Sequence, residues 1–546
     1  MRQRLRDPAY AHARRWVALG VVSGSLLVIG VDNTVLNIAL PTLARSHAAG
    51  GLNASGSELQ WIVDSYTIVF AGLLLTAGSL GDRFGRYRAL TFGLVLFGIG
   101  SALSAEASSA GSLIATRSIM GIGAAFIMPA TLSIITNVFT APAERARAIG
   151  VWAGIVAVGI GFGPVIGGFL LQHFWWGSVF LVNVPIVIVA LFLGYLFVPD
   201  SRDESAPKLD PLGSVLSIIG LATFLWAIIE APSKGWTSAP VLGGFAVSVV
   251  VLGAFMLWEL RYPSPMLDMR FFENPRFSAA SAAITIVFIA LFGMLFLLTQ
   301  YLQSVLGYST IEAGAVLLPM SAMMMIFAPR SPRLVARHGN KRVVAAGMTL
   351  VCLAFLLMTT FGTDTSVWQV IAITMVSGLG MAHVMAPATD SIMGSLPREK
   401  AGVGSAMNDT TRQVGGAFGV ALLGSIAVTI YSSEFRDALR SVRLPKGVVA
   451  HGSDSVGAAL GTLGELSGRT AEKVTDAAHT AFVHGFHASL LVGAAVVFVG
   501  ILAVVRWLPA RARDVELELV EVDHVVQTAG VREPEPAGGA SAQAVT

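Results

Sequence analysis

Three ionisable side chains, Asp32, Asp64 and Arg117, each lie inside a run of apolar residues long enough to cross a bilayer. Charges at such depth are costly and mark a function by default. A carboxylate there has two uses. In a low-dielectric cavity its charged form is disfavoured, so it can take up a proton. When ionised, it attracts a cation. Proton and cation exclude one another at a single acid, and that exclusion is enough to exchange one for the other. Arg117 nearby would favour the ionised acid, and its influence would change as a cavity opens to either side. A structural Asp–Arg pair that only ties helices together is the competing reading.

Asp82 sits at the end of its run, in Gly78-Ser79-Leu80-Gly81-Asp82-Arg83-Phe84-Gly85-Arg86-Tyr87-Arg88-Ala89-Leu90. An acid at that point can accept backbone N–H groups at a facing helix N-terminus, where the dipole favours anions. Gly78 and Gly85 suit close helix approach and a tight turn, with Arg83 and Arg86 alongside. A plain juxtamembrane charge cluster would lack this order of glycines, acid and arginines. A further string runs Gly159-Ile160-Gly161-Phe162-Gly163-Pro164-Val165-Ile166-Gly167-Gly168. Its small residues let helices approach closely in lipid, and Pro164 removes a backbone hydrogen bond and kinks its helix. A bland packing seam would show part of this pattern.

In the second half, Asp409 and Arg412 lie three apart and can pair on one helix face. A structural ion pair and a coupling element are equally open readings. Asp390 is near the inner end of its run, where exposure to the cytoplasm is the simplest account. Phe288, Phe292 and Phe296, and the cluster Met320, Met323, Met324 and Met325, could line an adaptable pocket. Core packing or lipid contact ranks ahead of that. No phosphate-binding Gly-x-x-x-x-Gly-Lys-Ser/Thr loop is present, which argues against ATP as the driver. No His/Cys/carboxylate cluster has metal-ligand spacing, so no metal and no cofactor are expected. Nor is there a constellation for catalysis.

The elements that must hold these residues are membrane helices. Of 546 residues, 54% are apolar and 13% charged, against about 25% charged in a soluble domain. A membrane helix needs about 20 mostly apolar residues. Fourteen such runs are predicted, near 16–40, 58–80, 88–107, 111–139, 147–171, 175–197, 211–230, 240–260, 278–304, 312–329, 342–361, 367–391, 402–431 and 482–506. Basic residues collect in alternate loops, such as Arg83, Arg86 and Arg88, or Arg330, Arg333, Arg337, Lys341 and Arg342. By the positive-inside rule both termini are cytoplasmic. The long loop 432–480 breaks the alternation, as long loops do; a solvated extracellular connector is favoured over a gate. From the helical rise of about 1.5 Å per residue, Asp32, Asp64 and Arg117 fall in the outer half at comparable depth. They are expected to meet around one polar cavity.

The first run is too long for a signal peptide's apolar segment, and no small-residue cleavage site follows, so it is expected to be retained. The single Cys352 permits no intrachain disulfide. Net charge is +3, which speaks neither for nor against a nucleic-acid partner; none is expected. The Arg-x-Gly core of Arg83-Phe84-Gly85 returns as Arg337-His338-Gly339, 254 residues later. Duplicated halves explain this. The predicted layout is a cytoplasmic N-terminus (1–15), a six-helix bundle (16–197), two linker helices (211–260), a second six-helix bundle (278–506) and a cytoplasmic tail (507–546), low in complexity and expected to be disordered.

These strings resemble those of the major facilitator superfamily, and closely its fourteen-span drug:proton antiporter branch. Asp32-Asn33-Thr34-Val35-Leu36-Asn37-Ile38-Ala39-Leu40-Pro41 resembles that branch's helix 1 signature. Trp61 to Tyr66, with Asp64, resembles its helix 2 opening. Gly78 to Leu90 is similar to the superfamily's loop 2–3 motif, with Tyr87 where a basic residue is common. Arg117 to Gly123 resembles the helix 4 motif tied to proton coupling, with Met120 where a Gln is usual. Gly150 and Gly159 to Gly168 fit the helix 5 antiporter motif, and Gly402 to Gly424 resembles helix 13 of the branch.

The resemblance implies an all-α membrane protein of the major facilitator fold, two six-helix bundles plus two extra central helices. It implies alternating access by rocking of the halves. Asp82 and its arginines would latch helix 2 against helix 13 in the outward-open state. Asp32 and Asp64 would handle proton and cationic substrate. The expected activity is proton-coupled export of lipophilic, cationic drugs, biocides or antibiotics by a monomer in the cytoplasmic membrane. A dedicated exporter of one antibiotic or secondary metabolite, or of a lipid-like amphiphile, is the alternative.

Overall fold

A computed structural model describes residues 13–43, 51–52, 54, 56–202, 210–440, 442, 444, 447–453, 455–466 and 468–509. The predicted N-terminal segment up to residue 12 and the tail from residue 510 lie outside the described residues, as does the side chain of Pro164.

Among the described residues, fourteen helices are long and apolar enough to cross a membrane. In the first half they are α1 (Arg15–Leu43), α2 (Gly56–Phe84), α3 (Arg86–Ala105), α4 (Ala110–Val138), α5 (Pro142–His173) and α6 (Ser178–Phe197). A hairpin follows, α7 (Pro211–Lys234) and α8 (Ala239–Glu259). The second half comprises α9 (Pro275–Val305), α10 (Ile311–His338), α11 (Asn340–Met358), α12 (Val367–Gly394), α13 (Ala401–Ala438) and α14 (Arg469–Trp507).

Local chemistry sets many of the ends. Proline, whose missing N–H costs nothing in a first turn, opens α5, α7, α8 and α9. Capping boxes open α4, through Ser109 and Ser112, and α10, through Ser309 and Glu312. The sequence echo is an echo of backbone geometry. Gly85 (φ 116°) precedes α3 and Gly339 (φ 83°) precedes α11. A left-handed residue turns the chain at the same point of each half, where a side chain would be strained.

Within the first half, α2 packs on α4, α3 on α4 and α1 on α5; within the second, α9 packs on α13, α11 on α12 and α13 on α14. The halves meet along α5–α10 and α2–α13, with α4 also touching α13 and α5 touching α12. The α7–α8 hairpin lies to one side. Its α7 packs against both α2 and α13, while most of α8 is exposed. Gly72 of α2 takes Ala222 of α7 into ordinary contact, and the Trp236 indole donates to Ser425 of α13 (3.0 Å).

Two helices run further than predicted. The polar residues after 431 do not end α13, which continues to Ala438, and α14 begins at Arg469 rather than near 482. The connector is therefore shorter than 432–480, and it contains the short helices Val448–Gly452 and Val456–Gly461. Polar contacts support the extensions. His484 meets Glu434 at 2.5 Å, and the Tyr431 hydroxyl donates to the Gly452 carbonyl at 2.7 Å.

Candidate functional site

Asp32 on α1 and Arg117 on α4 form an ion pair, Nη1 to Oδ2 at 2.5 Å, and each residue is 1% exposed. The arginine's Nε donates to the Ile62 carbonyl of α2 (3.2 Å), and its guanidinium lies 4.3 Å from the Tyr66 ring centroid. The other carboxylate oxygen accepts from Asn183 of α6 (3.4 Å), which also donates to Ser101 of α3 (3.1 Å). Five helices thus converge on one charge pair. A pair this deep is held by its hydrogen bonds, and removing one member strands the other. Sequence reasoning passed over Asn183 and Ser101. Asn183 stands in an otherwise apolar run, and that isolation was the available signal.

Asp64, on α2, is half-buried. Tyr66 and Phe70 face Gly121 of α4, whereas Gly78 faces α13. At about 100° per residue, Asp64 sits on the far side of α2 from Tyr66 and about 40° from Gly78. Asp32 and Arg117, two of the three residues expected to meet, form the pair. By this helical geometry Asp64 lies toward the flank of α2 that carries Gly78, about 21 Å along the helix from it.

At the opposite end of α2, Asp82 docks on the start of α13. Its carboxylate accepts from the backbone N–H of Gly402 (2.9 and 2.7 Å) and of Val403 (3.2 Å). Open donors and the helix dipole both favour an anion there. Arg86 pairs with Asp82 (2.8 Å) and donates to the Glu399 carbonyl (3.0 Å), tying the same corner to the second half again. Arg83 lies over the Phe84 ring at 5.6 Å. Asp200, at the end of α6, accepts from the Tyr87 N–H (3.2 Å) and pairs with Arg88 (3.4 Å). The sequence reading had not singled it out.

Asp390 is not simply presented to solvent. It accepts from Arg145 of α5 (3.4 Å), making a second charged contact between the halves. The expected Asp409–Arg412 pairing is absent among the described ion pairs. Arg412 donates instead to Thr389 of α12 (3.0 Å) and lies over the rings of Trp152 (4.6 Å) and Phe288 (5.3 Å). Asp409 accepts from Asn408 (3.2 Å). Three-residue spacing permits a pair on one helix, but the neighbouring helices offer this arginine aromatic faces. Phe288 is buried whereas Phe296 is exposed, and Met320 and Met324 are buried whereas Met325 is exposed.

The glycines of α5 look two ways. A Cβ on Gly159 would lie 3.0 Å from Gly30 of α1, and one on Gly163 would collide with Thr34 of the same helix. Gly150, Gly161 and Gly168 face Ala328, Ser321 and Ile311 of α10, and Gly167 is buried. This helix is thus a thin blade between its own half and the other.

Fourteen membrane-length helices among the described residues, twelve in two packed halves and two in a hairpin beside them, with buried charges inside the first half and charged clasps between the two, define a polytopic membrane transporter. Residues 22–420 match the Major Facilitator Superfamily, and the chain belongs to that superfamily. It is 37% identical over 497 residues to the "Multidrug efflux pump LfrA" of Mycolicibacterium smegmatis, covering 89% of this chain and 96% of that protein. It is 36% identical over 477 residues to the "Methyl viologen resistance protein SmvA" of Salmonella typhimurium, covering 86% and 93%. The "Tetracenomycin C resistance and export protein" of Streptomyces glaucescens is 33% identical over 497 residues, covering 89% and 90%. The solved proton:xylose symporter XylE superposes with a TM-score of 0.57 at 14% identity, covering 91% of this chain and 96% of that one, and shares the fold.

Proposed function

We propose that this chain exports lipophilic, cationic drug-like molecules across a bacterial cytoplasmic membrane in exchange for protons, acting as a monomer without a cofactor. The observation that carries the reading is the buried Asp32–Arg117 pair, a carboxylate able to exchange a proton held beside an arginine deep within the first half. Relatives named for multidrug efflux and for methyl viologen resistance support the cargo class. Both termini are cytoplasmic, and the arginine-rich end of the bundle faces inward.

The mechanism is alternating access. Asp82 on the α13 N-terminus, Arg86 on the Glu399 carbonyl and Arg145 on Asp390 clasp the halves at the cytoplasmic end. These contacts suit a conformation closed to the cytoplasm. Opening breaks them, and the glycine blade of α5 lets the halves tilt against each other. Asp32 and Asp64 take a proton or leave their charge to the cation. One proton traded for one monovalent cation moves no net charge. Only the pH difference then drives export, about 1.4 kcal/mol per unit. A second proton adds about 2.3 kcal/mol per 100 mV.

A resistance profile tests the reading. The chain is expressed in a strain lacking its own exporters and challenged with cationic dyes, biocides and an antibiotic panel, with and without a protonophore. Protonophore-sensitive protection against several cations is expected. Protection against none would overturn it. Protection against a single antibiotic would favour a dedicated exporter, a reading supported by the relative named for tetracenomycin C export.

A further inference from the structure

Arg412 is 4% exposed, yet two of its donor atoms, Nε and Nη1, have no hydrogen-bond partner. Only Nη2 is engaged, with Thr389. A buried cation with idle donors is expensive, and ring faces offset part of that cost. Here they come from both halves. Trp152 belongs to α5 of the first, held by its indole N–H on Thr131 (3.2 Å), and Phe288 to α9 of the second. The site lies on α13 about 16 Å from that helix's start, near the middle of the membrane and between the bundles. Transporters of this plan place cargo in that region.

If the halves part at the Asp82 end, as the transport reading above has it, Trp152 would withdraw with the first bundle. Phe288 and Thr389 stay with Arg412. The guanidinium then faces the opened space with at least two free N–H groups in a rigid fork, the geometry that matches a carboxylate. One ring face remains beside it. On the same helix, Asp409 keeps an unpartnered Oδ2 that suits a donor.

We propose that Arg412, with Phe288 beside it, is a recognition site for the oxyanion of planar aromatic substrates, so that the cargo includes acids and zwitterions as well as cations. The proposal rests on the transport reading above and extends its substrate class. It differs from a mere Asp409–Arg412 ion pair in what it predicts for selectivity.

The test uses the full chain in nanodiscs, with 9-anthracenecarboxylate and ethidium as fluorescent probes. Wild type binds both. Arg412→Gln is expected to weaken the carboxylate at least tenfold more than ethidium, and Arg412→Lys, which keeps the charge but not the fork, to fall between. Equal losses for the two probes would assign Arg412 a structural role and overturn the proposal. So would an undiminished carboxylate affinity, or a wild type that binds none. Where Arg412→Gln does not fold, Arg412→Lys carries the comparison: a larger loss for the carboxylate than for ethidium is expected, and equal losses overturn the proposal. If wild type moves no ethidium under an imposed pH gradient, the exporter reading fails separately, and selective carboxylate binding would still stand.

Discussion

Gly78 and Gly402 stand back to back, each occupying the place a side chain on the other would need. A Cβ on Gly78 would lie 2.5 Å from the Gly402 carbonyl oxygen, and a Cβ on Gly402 would lie 2.5 Å from that of Gly78. The obstacle is backbone, which cannot rotate aside. Gly402 is also the residue whose N–H meets Asp82. One close approach therefore supports both the packing of α2 on α13 and the charged clasp.

Gly402→Ala should hold the halves apart at this corner. Overpacking of this kind costs about 1–3 kcal/mol, which shifts the balance of the two conformations by about 5- to 150-fold. Turnover in proteoliposomes should fall accordingly, and a cysteine introduced on the cytoplasmic rim should become more reactive to a membrane-impermeant maleimide. Normal turnover with unchanged labelling would count against the role given to this contact.

Asp82→Asn keeps the size and loses the charge. Hydrogen bonds to charged groups contribute about 1.5–3 kcal/mol, and those on Gly402 and Val403 exist only in the clasped conformation. Cycling should slow more than substrate affinity falls. A large loss of affinity at normal turnover is the outcome that would sink the latch.

Asp64→Asn should abolish proton-coupled export while leaving the protein inserted and folded. The residue is a half-buried acid within a membrane-length helix. Dye extrusion into everted vesicles is the measurement. Undiminished extrusion would remove Asp64 from the coupling scheme.

For Asp32 and Arg117 the double-mutant cycle is informative. Replacing either by alanine leaves the other buried and unpaired, at a cost of about 3–5 kcal/mol. Replacing both should cost clearly less than the sum. Unfolding temperatures in detergent report this directly. Additive losses would mean that the two do not act as a pair.

Much of this was legible in the sequence because membranes impose lengths and depths. Helical rise alone placed Asp32 and Arg117 at one level, and they meet. The order of glycines, acid and arginines around Asp82 pointed to a facing helix N-terminus, and α13 provides it. Azimuth was harder. Rise says how deep Asp64 lies, but which flank of α2 meets α4 depends on neighbours far away in the chain. Arg412 shows the same limit, since its rings come from α5 and α9, and local spacing suggested only Asp409. Hydropathy also ended α13 too early. It senses the transfer of residues into lipid, and a helix continuing into water carries no such signal.

The α7–α8 hairpin gives the transporter a sidedness. Because α7 lies against both α2 and α13, it shutters one of the two lateral seams between the halves. The α5–α10 seam carries no such shutter among the described residues. The two flanks therefore present different surfaces to the bilayer, one layered by an added helix and the other formed by α5 and α10 directly.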